Sequence, residues 1–273
     1  MLPPLQDRRS LGLGLRIPHY RDLLERDVEL DYLEIISENF MGDAAIPRSV
    51  LRRFREKFPI VLHGVGLNLL GVDPLDEDYL HRLCRLADLV DAPFVSDHLC
   101  WTAHAGHHHH DLLPTPFTSD LIGYAAERAA FVQERLGRPF GLENLSSYTA
   151  FPRSEMSEWD FYPAVVKAAG CFYMLDVNNI YVSAHNQEFK PDLYLDRIEW
   201  SRVLQVHVAG HRRLDHGLLL DTHDQAVRPE VWELYAQAWR LGGPFPTLLE
   251  WDDHIPSLDL ALAELSLARS YQR

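Results

Sequence analysis

The residues able to do chemistry in this chain cluster at the ends of short apolar runs. Ser37-Glu38-Asn39 follows one run, His63-Gly64 a second and Asp97-His98 a third. Glu143-Asn144, Asp176-Val177-Asn178-Asn179, His207 (with His211 four residues on) and Glu250 close others, and Asp221-Thr222-His223 precedes the last run. Imidazole is the commonest transition-metal ligand, and the chain has 15 His in 273 residues. Carboxylates and imidazoles buried together are costly to desolvate, and a metal ion supplies the charge that offsets the cost. Nitrogen and oxygen donors without thiolate suit zinc, iron or manganese. The candidates exceed the four that one tetrahedral ion takes, so two or three ions are expected, with Glu143 placed to bridge. Asp221 and His223 are i, i+2, which sets both on one side of an extended segment. Asp176 and Asn179 are expected where a strand turns into a loop. One His at a strand end is ordinarily structural, and one carboxylate there often caps the next helix; recurrence at run after run is the signal.

The elements that must position these groups are legible as periodicity. Eight short apolar runs read as strands: Leu11–Leu15, Tyr32–Ile36, Ile60–His63, Phe94–Asp97, Phe140–Glu143, Cys171–Asp176, Val203–His207 and Thr247–Glu250. Between them Leu75–Val90, Leu121–Leu136, Trp159–Ala169, Pro229–Leu241 and Leu258–Ala268 carry apolar residues three or four apart, as helices do. Pro74 or Asp76 would start the first and Ser157 would cap the third. Such alternation implies parallel strands joined by helical crossovers. A closed (β/α)8 barrel forming one domain over residues 1–273 is the simplest arrangement, with an open doubly wound sheet as the alternative. In a barrel the strand ends converge on one face, where a site belongs. No nucleotide-binding glycine pattern follows the first strand. Residues Cys100–Thr118 and His207–Arg228 read as long irregular loops over that face.

Composition narrows the function classes. The chain is 47% hydrophobic and 24% charged with a net charge of −14, so it has no general basic footprint for nucleic acid. No apolar run approaches membrane-spanning length, and Met1–Ser10 lacks a signal-peptide core, which suggests a cytoplasmic protein without a membrane partner. Cys84, Cys100 and Cys171 show no paired spacing and read as reduced thiols. His107–His110, with His104, reads as a solvated loop, the alternative being a lid over the site. Arg16 and His19 are candidates for an anionic group such as a peptide carboxylate, or for salt bridging. Asn144 through Tyr148 offer an amide and hydroxyls for substrate contact or loop capping. No GxSxG elbow is present, which argues against a serine nucleophile.

The segments Gly12–Arg16, Leu33–Asn39, Leu62–Gly66, Ser96–Leu99, Asp111–Pro114, Leu142–Asn144, Leu175–Asn179, His207–His211, Asp221–His223 and Leu249–Glu250 run in order through the chain. Together they resemble the multinuclear non-haem iron-dependent oxidative enzymes, the family that includes the methanobactin-biosynthesis oxidase. The Asp-Val-Asn-Asn and His-Val-Ala-Gly-His stretches are the specific part of the match. The resemblance implies a TIM barrel of xylose-isomerase-like type holding two or three irons, Fe(II) or Fe(III). It implies dioxygen as co-substrate and oxidative modification of a ribosomally made precursor peptide, most often at cysteine, through thiolate binding to iron and removal of a Cβ hydrogen. It also implies a companion protein that binds the peptide leader. The metal pattern is similar to the trinuclear zinc site of endonuclease IV-type nucleases as well. Carried over from both, His63, His98 and Glu143 would hold one ion; Glu143, Asp176, His207 and Glu250 a second; and Asn179, Asp221 and His223 a third. The nuclease pattern has histidine where this chain has Asn179, a weaker ligand. Arg16, Glu38, Asn39, Asp97, Asn144, Tyr148, Asn178 and His211 are left as substrate-binding or supporting residues.

Three other functions compete. A zinc-dependent phosphodiesterase would need a basic groove, which the charge disfavours. A sugar isomerase or epimerase uses fewer ligands than are present here. A non-catalytic metal-binding module would leave no coordination position open.

Overall fold

The structure, a computed structural model, describes residues 5, 7–41 and 45–273, so part of the polar opening segment Met1–Ser10 lies outside the described residues. Eight strands form a closed barrel: β1 (Leu11–Gly14), β2 (Tyr32–Ile36), β3 (Ile60–Gly64), β4 (Val95–His98), β5 (Phe140–Glu143), β6 (Phe172–Asp176), β7 (Val203–Val208) and β8 (Thr247–Leu249). Every neighbouring pair is parallel, and β8 closes the ring against β1 with Gly12 opposite Leu248. The strands are buried along nearly their whole length, as expected where helices cover the outside and side chains fill the inside.

The period of two along each strand sorts the interior into layers. Val61 and His63 share a face of β3, and Tyr32 and Glu34 share a face of β2. Phe94 lies two residues before Ser96 and four before His98. The lower members pack with one another: Leu5, Tyr32, Val61, Phe94, Leu204 and Leu248 form an apolar floor separate from the main core. Leu204 joins it because the register slips between β6 and β7, leaving it as the extra residue between Val203 and Gln205. Gly12 is required here, since a Cβ would lie 2.3 Å from the Tyr32 ring. The upper members of the same faces are the polar residues.

Outside the barrel run α1 (Tyr20–Glu25), α2 (Ala45–Arg55), α3 (Glu77–Val90), α4 (Ser119–Leu136), α5 (Glu158–Ala169), α6 (Val177–Asn186), α7 (Pro229–Gly242) and α8 (Leu258–Ser266). Asp76 caps α3 through its Oδ1, which accepts from Asp78 N and Tyr79 N. Gly137 and Gly170 end α4 and α5 in left-handed conformation. Ser157 stands at the start of α5 but does not cap it: its hydroxyl donates to Asp160 Oδ2 at 2.6 Å. No helix among the described residues is long and apolar enough to cross a membrane.

Two segments expected to be irregular are ordered. Residues 101–113 form an antiparallel hairpin, Trp101–His104 against His107–Leu113, turning at Ala105 and Gly106, both with positive φ. The segment after β7 holds a short pair, Arg212–Arg213 with Leu219–Leu220. Asp176 is followed at once by a helix and not by a loop, so Asn178 and Asn179 lie in the first turn of α6.

The rims of β5 and β6 are clasped by one amide. Asn144 Nδ2 donates to Asp176 O at 2.9 Å, and Asn144 Oδ1 accepts from Asp176 N at 2.9 Å. Both backbone groups are buried, so Asn144→Ala orphans a donor and an acceptor together, which costs about 2–4 kcal/mol. Denaturant titration should show that loss at unchanged slope. A variant as stable as wild type would mean the clasp is unimportant.

Candidate metal centre

At the top of the barrel the ends of β3, β4 and β5 bring three side chains to one point. His63 Nε2 and His98 Nε2 each lie 3.0 Å from the same atom, Glu143 Oε2. The far nitrogens are already committed. His98 Nδ1 faces the Gly64 carbonyl at 3.1 Å and must donate to it. His63 Nδ1 meets Ser96 Oγ at 2.9 Å, while that hydroxyl donates to Leu62 O. Each Nε2 of a neutral ring therefore points a lone pair at a carboxylate oxygen. Only a cation, a proton or a metal ion, makes that arrangement favourable, and a ring whose other N–H is held by a carbonyl or hydroxyl is how metal-ligating histidines are oriented. Burial pulls the His98 imidazole down, but Glu143 and then Asp97 outweigh it and raise it to about 9. Burial would push Glu143 up, yet His98 and His63 hold it far below the usual carboxylate range.

A second group joins from β2, β6, β7 and the end of β8. His207 Nδ1 lies 3.1 Å from Glu250 Oε2 and its Nε2 lies 3.1 Å from Glu34 Oε2. The Gln205 amide also donates to Glu34. Glu34 was not among the candidates taken from the sequence, because it lies inside an apolar run and not at its end. The signal was there all the same: a glutamate in mid-strand, here 3% exposed, is an unusual burial. Asp176 spends Oδ1 on the Asn179 backbone N–H at 2.7 Å and leaves Oδ2 free. Burial, aided by Glu143 and Asp221 against the pull of His223 and His207, pushes the Asp176 carboxyl up to about 8. Four ligand groupings emerge, each with atoms within 4.8 Å of one another: His63–His98–Glu143, Glu34–His207–Glu250, Glu143–Asp176–His207 and Asp176–His223–Glu250. Glu143, Asp176, His207 and Glu250 each belong to two, so the groupings are contiguous.

His223 stands in left-handed conformation, φ 45°, with its N–H donating to Gly210 O at 3.1 Å. Its Nε2 approaches Asp221 Oδ1 at 2.7 Å, and its Nδ1 lies 3.2 Å from Glu250 Oε2 and 3.1 Å from Asp252 Oδ2. Asp221 and His223 are thus together, but through a bent backbone and not an extended one. Behind them His211 donates from Nδ1 to Asn178 Oδ1 (2.8 Å), and Asn178 donates to Asp221 Oδ1 (2.7 Å). Burial, then Arg228, lowers His211 to about 4, so it is neutral in this relay. Asn179 Nδ2 is bound to Asn144 O, leaving its Oδ1 without a partner.

Other candidates face elsewhere. Asp97 is one residue out of phase with His98, so its Oδ2 accepts Leu67 N in the loop after β3 and its carboxylate stays outside the cluster. Glu38 accepts from Tyr79 OH and Val65 N. Arg16 is tied to Trp251 O (2.7 Å) and Asp252 (2.6 Å), the salt-bridging alternative, while still lining the mouth of the site with Asn39. His19 does not reach that mouth: it is buried against Pro256 O at 2.8 Å. His107, His108 and His109 are exposed on a strand of the hairpin and enter none of the ligand groupings; the His110 side chain lies outside the described residues. Above the cluster is an open cavity of about 460 Å³, whose lining includes His63, His98, Tyr148, Asn179, Asp221, His223 and Glu250.

The donor set fits metal ions. Glu143 Oε2, Asp176 Oδ2, Asn179 Oδ1 and both ring nitrogens of His223 are buried with no hydrogen-bond partner, although oxygen or nitrogen atoms crowd several of them. Close approach without hydrogen bonding is what a shared central cation produces. Gly210 is the hinge of this arrangement, since a Cβ there would come within 1.9 Å of Gln225 O. Gly210→Ala therefore displaces the segment carrying His223. It should weaken metal retention about 10-fold in a chelator competition while the circular dichroism spectrum is kept. Unchanged retention would show that His223 is not held through Gly210.

Residues 10–273 match the family described as the RiPP precursor modification enzyme MbnB/TglH/ChrH, where RiPP denotes a ribosomally synthesised and post-translationally modified peptide. A UPF0276 protein of Rhizorhabdus wittichii is 49% identical over 264 residues, covering 96% of this chain and 94% of the relative. A UPF0276 protein of Caulobacter vibrioides is 46% identical, covering 97% and 95%. Among solved structures, D-psicose 3-epimerase from Clostridium cellulolyticum H10 superposes with a TM-score of 0.64 at 12% identity, covering 97% of this chain and 99% of that one. A xylose isomerase domain protein from Planctomyces limnophilus gives 0.58 at 13% identity, covering 95% and 94%. At such identity these structures share the barrel fold, a xylose-isomerase-like TIM barrel. The matched family, which spans nearly all of the sequence, sets the relationship: this chain belongs to the MbnB/TglH/ChrH family of RiPP precursor modification enzymes.

Proposed function

We propose that this protein carries out iron- and dioxygen-dependent oxidation of a ribosomally made precursor peptide, at a cysteine. The observation that carries the reading is Glu143 Oε2, held 3.0 Å from two imidazole nitrogens with no hydrogen bond, beneath a cavity of about 460 Å³ open to solvent. His63, His98 and Glu143 would hold one ion; Asp176, His207 and Glu250, with Glu143, a second; and His223, Asp221 and Asn179 a third. Bound iron would supply the redox chemistry and stabilise a cysteine as its thiolate. The chain itself holds the ligands rigid: Glu34 and Gln205 brace His207, Asn144 braces Asp176, and Asn178 with His211 brace Asp221.

Tyr148 is the group best placed to orient the peptide. Its hydroxyl accepts from Asp221 N at 3.0 Å and from Ser146 Oγ at 3.2 Å, which leaves its own proton to donate into the cavity. Arg16 is neutralised by Asp252, so the cavity carries little net positive charge for a phosphodiester, and Asp111 and Asp221 add to its acidity. This weighs against the zinc phosphodiesterase reading. A leader-binding companion protein belongs to the same proposal.

The test is turnover. Iron-reconstituted protein, dioxygen and a library of cysteine-containing ribosomal peptides are analysed by mass spectrometry. A dioxygen-dependent mass change confined to cysteine is expected, lost when serine replaces it and reduced more than about 100-fold by Glu143→Gln. Absence of any dioxygen-dependent product, or phosphodiester cleavage by the zinc form, would refute the proposal.

A further inference from the structure

Beside the metal centre lies a second and larger cavity, of about 720 Å³. It is bounded by the loop after β3, the start of α3 and the 101–113 hairpin. Val65, Asp111 and Leu112 line both cavities, so the two adjoin. Its lining combines apolar surface from Val65, Leu67, Pro74 and Leu112 with four carboxylates, Glu38, Asp73, Asp76 and Asp111, and includes no Lys or Arg. Asp73 has basic neighbours, with His104 Nδ1 3.6 Å from its Oδ1 and Arg128 donating to its backbone carbonyl, and His108 stands in the lining; Glu38, Asp76 and Asp111 are held by neutral donors. Glu38 is bound by a phenol and a backbone N–H through one oxygen, and its Oε2 is buried without a partner. Asp73 and Asp76 accept backbone N–H groups of Ala105, Asp78 and Tyr79. Asp111 Oδ1 accepts the N–H of its own neighbour, Leu112. Gly66 keeps the floor open, since a Cβ there would lie 2.9 Å from Tyr79 and 3.0 Å from Glu38 Oε1.

We propose that this groove selects a Lys or Arg side chain in the peptide, a short and fixed number of residues from the one modified. The inference rests on the reading that the neighbouring centre acts on a peptide. An apolar trough ending in carboxylates held by neutral donors, Glu38 and Asp111 among them, is the complement of a long aliphatic stem with a cationic head. The stem lies on Val65, Leu67 and Leu112. The head meets Asp111 at the rim, beside Glu38, whose Oε2 is without a partner. A cation at this place gains attraction that an acidic residue would turn into repulsion, so the groove sets register as well as affinity.

The experiment uses acetylated, amidated and fluorescein-labelled heptapeptides with a central cysteine. Lys, Glu or norleucine is placed at each flanking position in turn, and each peptide is titrated against the metal-loaded protein by anisotropy. At one flanking position Lys should bind at least about 10-fold more tightly than Glu and about 3-fold more tightly than norleucine, a preference that shrinks with added salt. Glu38→Gln combined with Asp111→Asn should bring the Lys-to-Glu ratio at that position to within about twofold and leave the norleucine peptide unchanged. An equal gain from Lys at every position would reflect only the charge of −14 and would overturn the proposal; so would a ratio that survives both substitutions. Serine-centred peptides separate the two readings. If cysteine is preferred to serine but Lys is not preferred to Glu, the groove assignment falls and the peptide reading stands. If no peptide binds in any arrangement, both fall.

Discussion

The structure depends on one electrostatic constraint: acidic and imidazole side chains are packed together, out of water, at the top of a closed barrel. Glu34, Glu143, Asp176 and Glu250 are all at most 6% exposed, and His63, His98, His207 and His223 share the same space. Carboxylates in such surroundings are unfavourable unless cations lie among them. In the bare protein, protons on the imidazoles provide part of that charge, which is why His98 is lifted to about 9 while Glu143 is driven far down. Metal ions would take the place of those protons, and the rest of the architecture follows as support for that exchange. The apolar floor below keeps the ligands in register, the Asn144 clasp fixes the rims of two strands, and the His211–Asn178 relay holds Asp221.

Much of this was legible in the sequence, because a barrel imposes a simple rule. Apolar runs become strands, and whatever polar residue ends a run lands on the active face. His63, His98, Glu143, Asp176, His207 and Glu250 obey it and come together. The rule fails where parity intervenes. Asp97 and His98 end the same strand, but neighbouring residues point to opposite faces, so one leaves the cluster and the other enters it. Glu34 escaped notice for the converse reason, since it sits mid-strand on the inward face. Arg16 and His19 follow β1 closely, yet His19 turns outward to Pro256 and only Arg16 reaches the mouth.

The rest was hidden because it depends on contacts distant in sequence. Histidines 107–110 suggested a solvated loop, whereas the backbone pairs with Trp101–His104 as a hairpin. Only in three dimensions does that hairpin become one wall of an acidic groove whose other wall is the loop after β3. Likewise Asp176 could be read as a strand end, but not as the cap of a helix whose first turn supplies Asn178 and Asn179. The family relationship accounts for the class of substrate; the cavities state what a peptide would meet on arrival, which is a cluster of imidazoles and carboxylates able to hold metal ions at the centre and further carboxylates to one side.

The most direct test is to count and identify the metal. Protein grown with iron-57 and purified anaerobically, with His107, His108 and His109 replaced by alanine in a control to remove surface binding, would be measured by elemental mass spectrometry and Mössbauer spectroscopy. The account predicts about two to three magnetically coupled irons per chain, retained in the control and largely lost in Glu143→Ala. Stoichiometric zinc after iron-replete growth, or full iron content in Glu143→Ala, would contradict it.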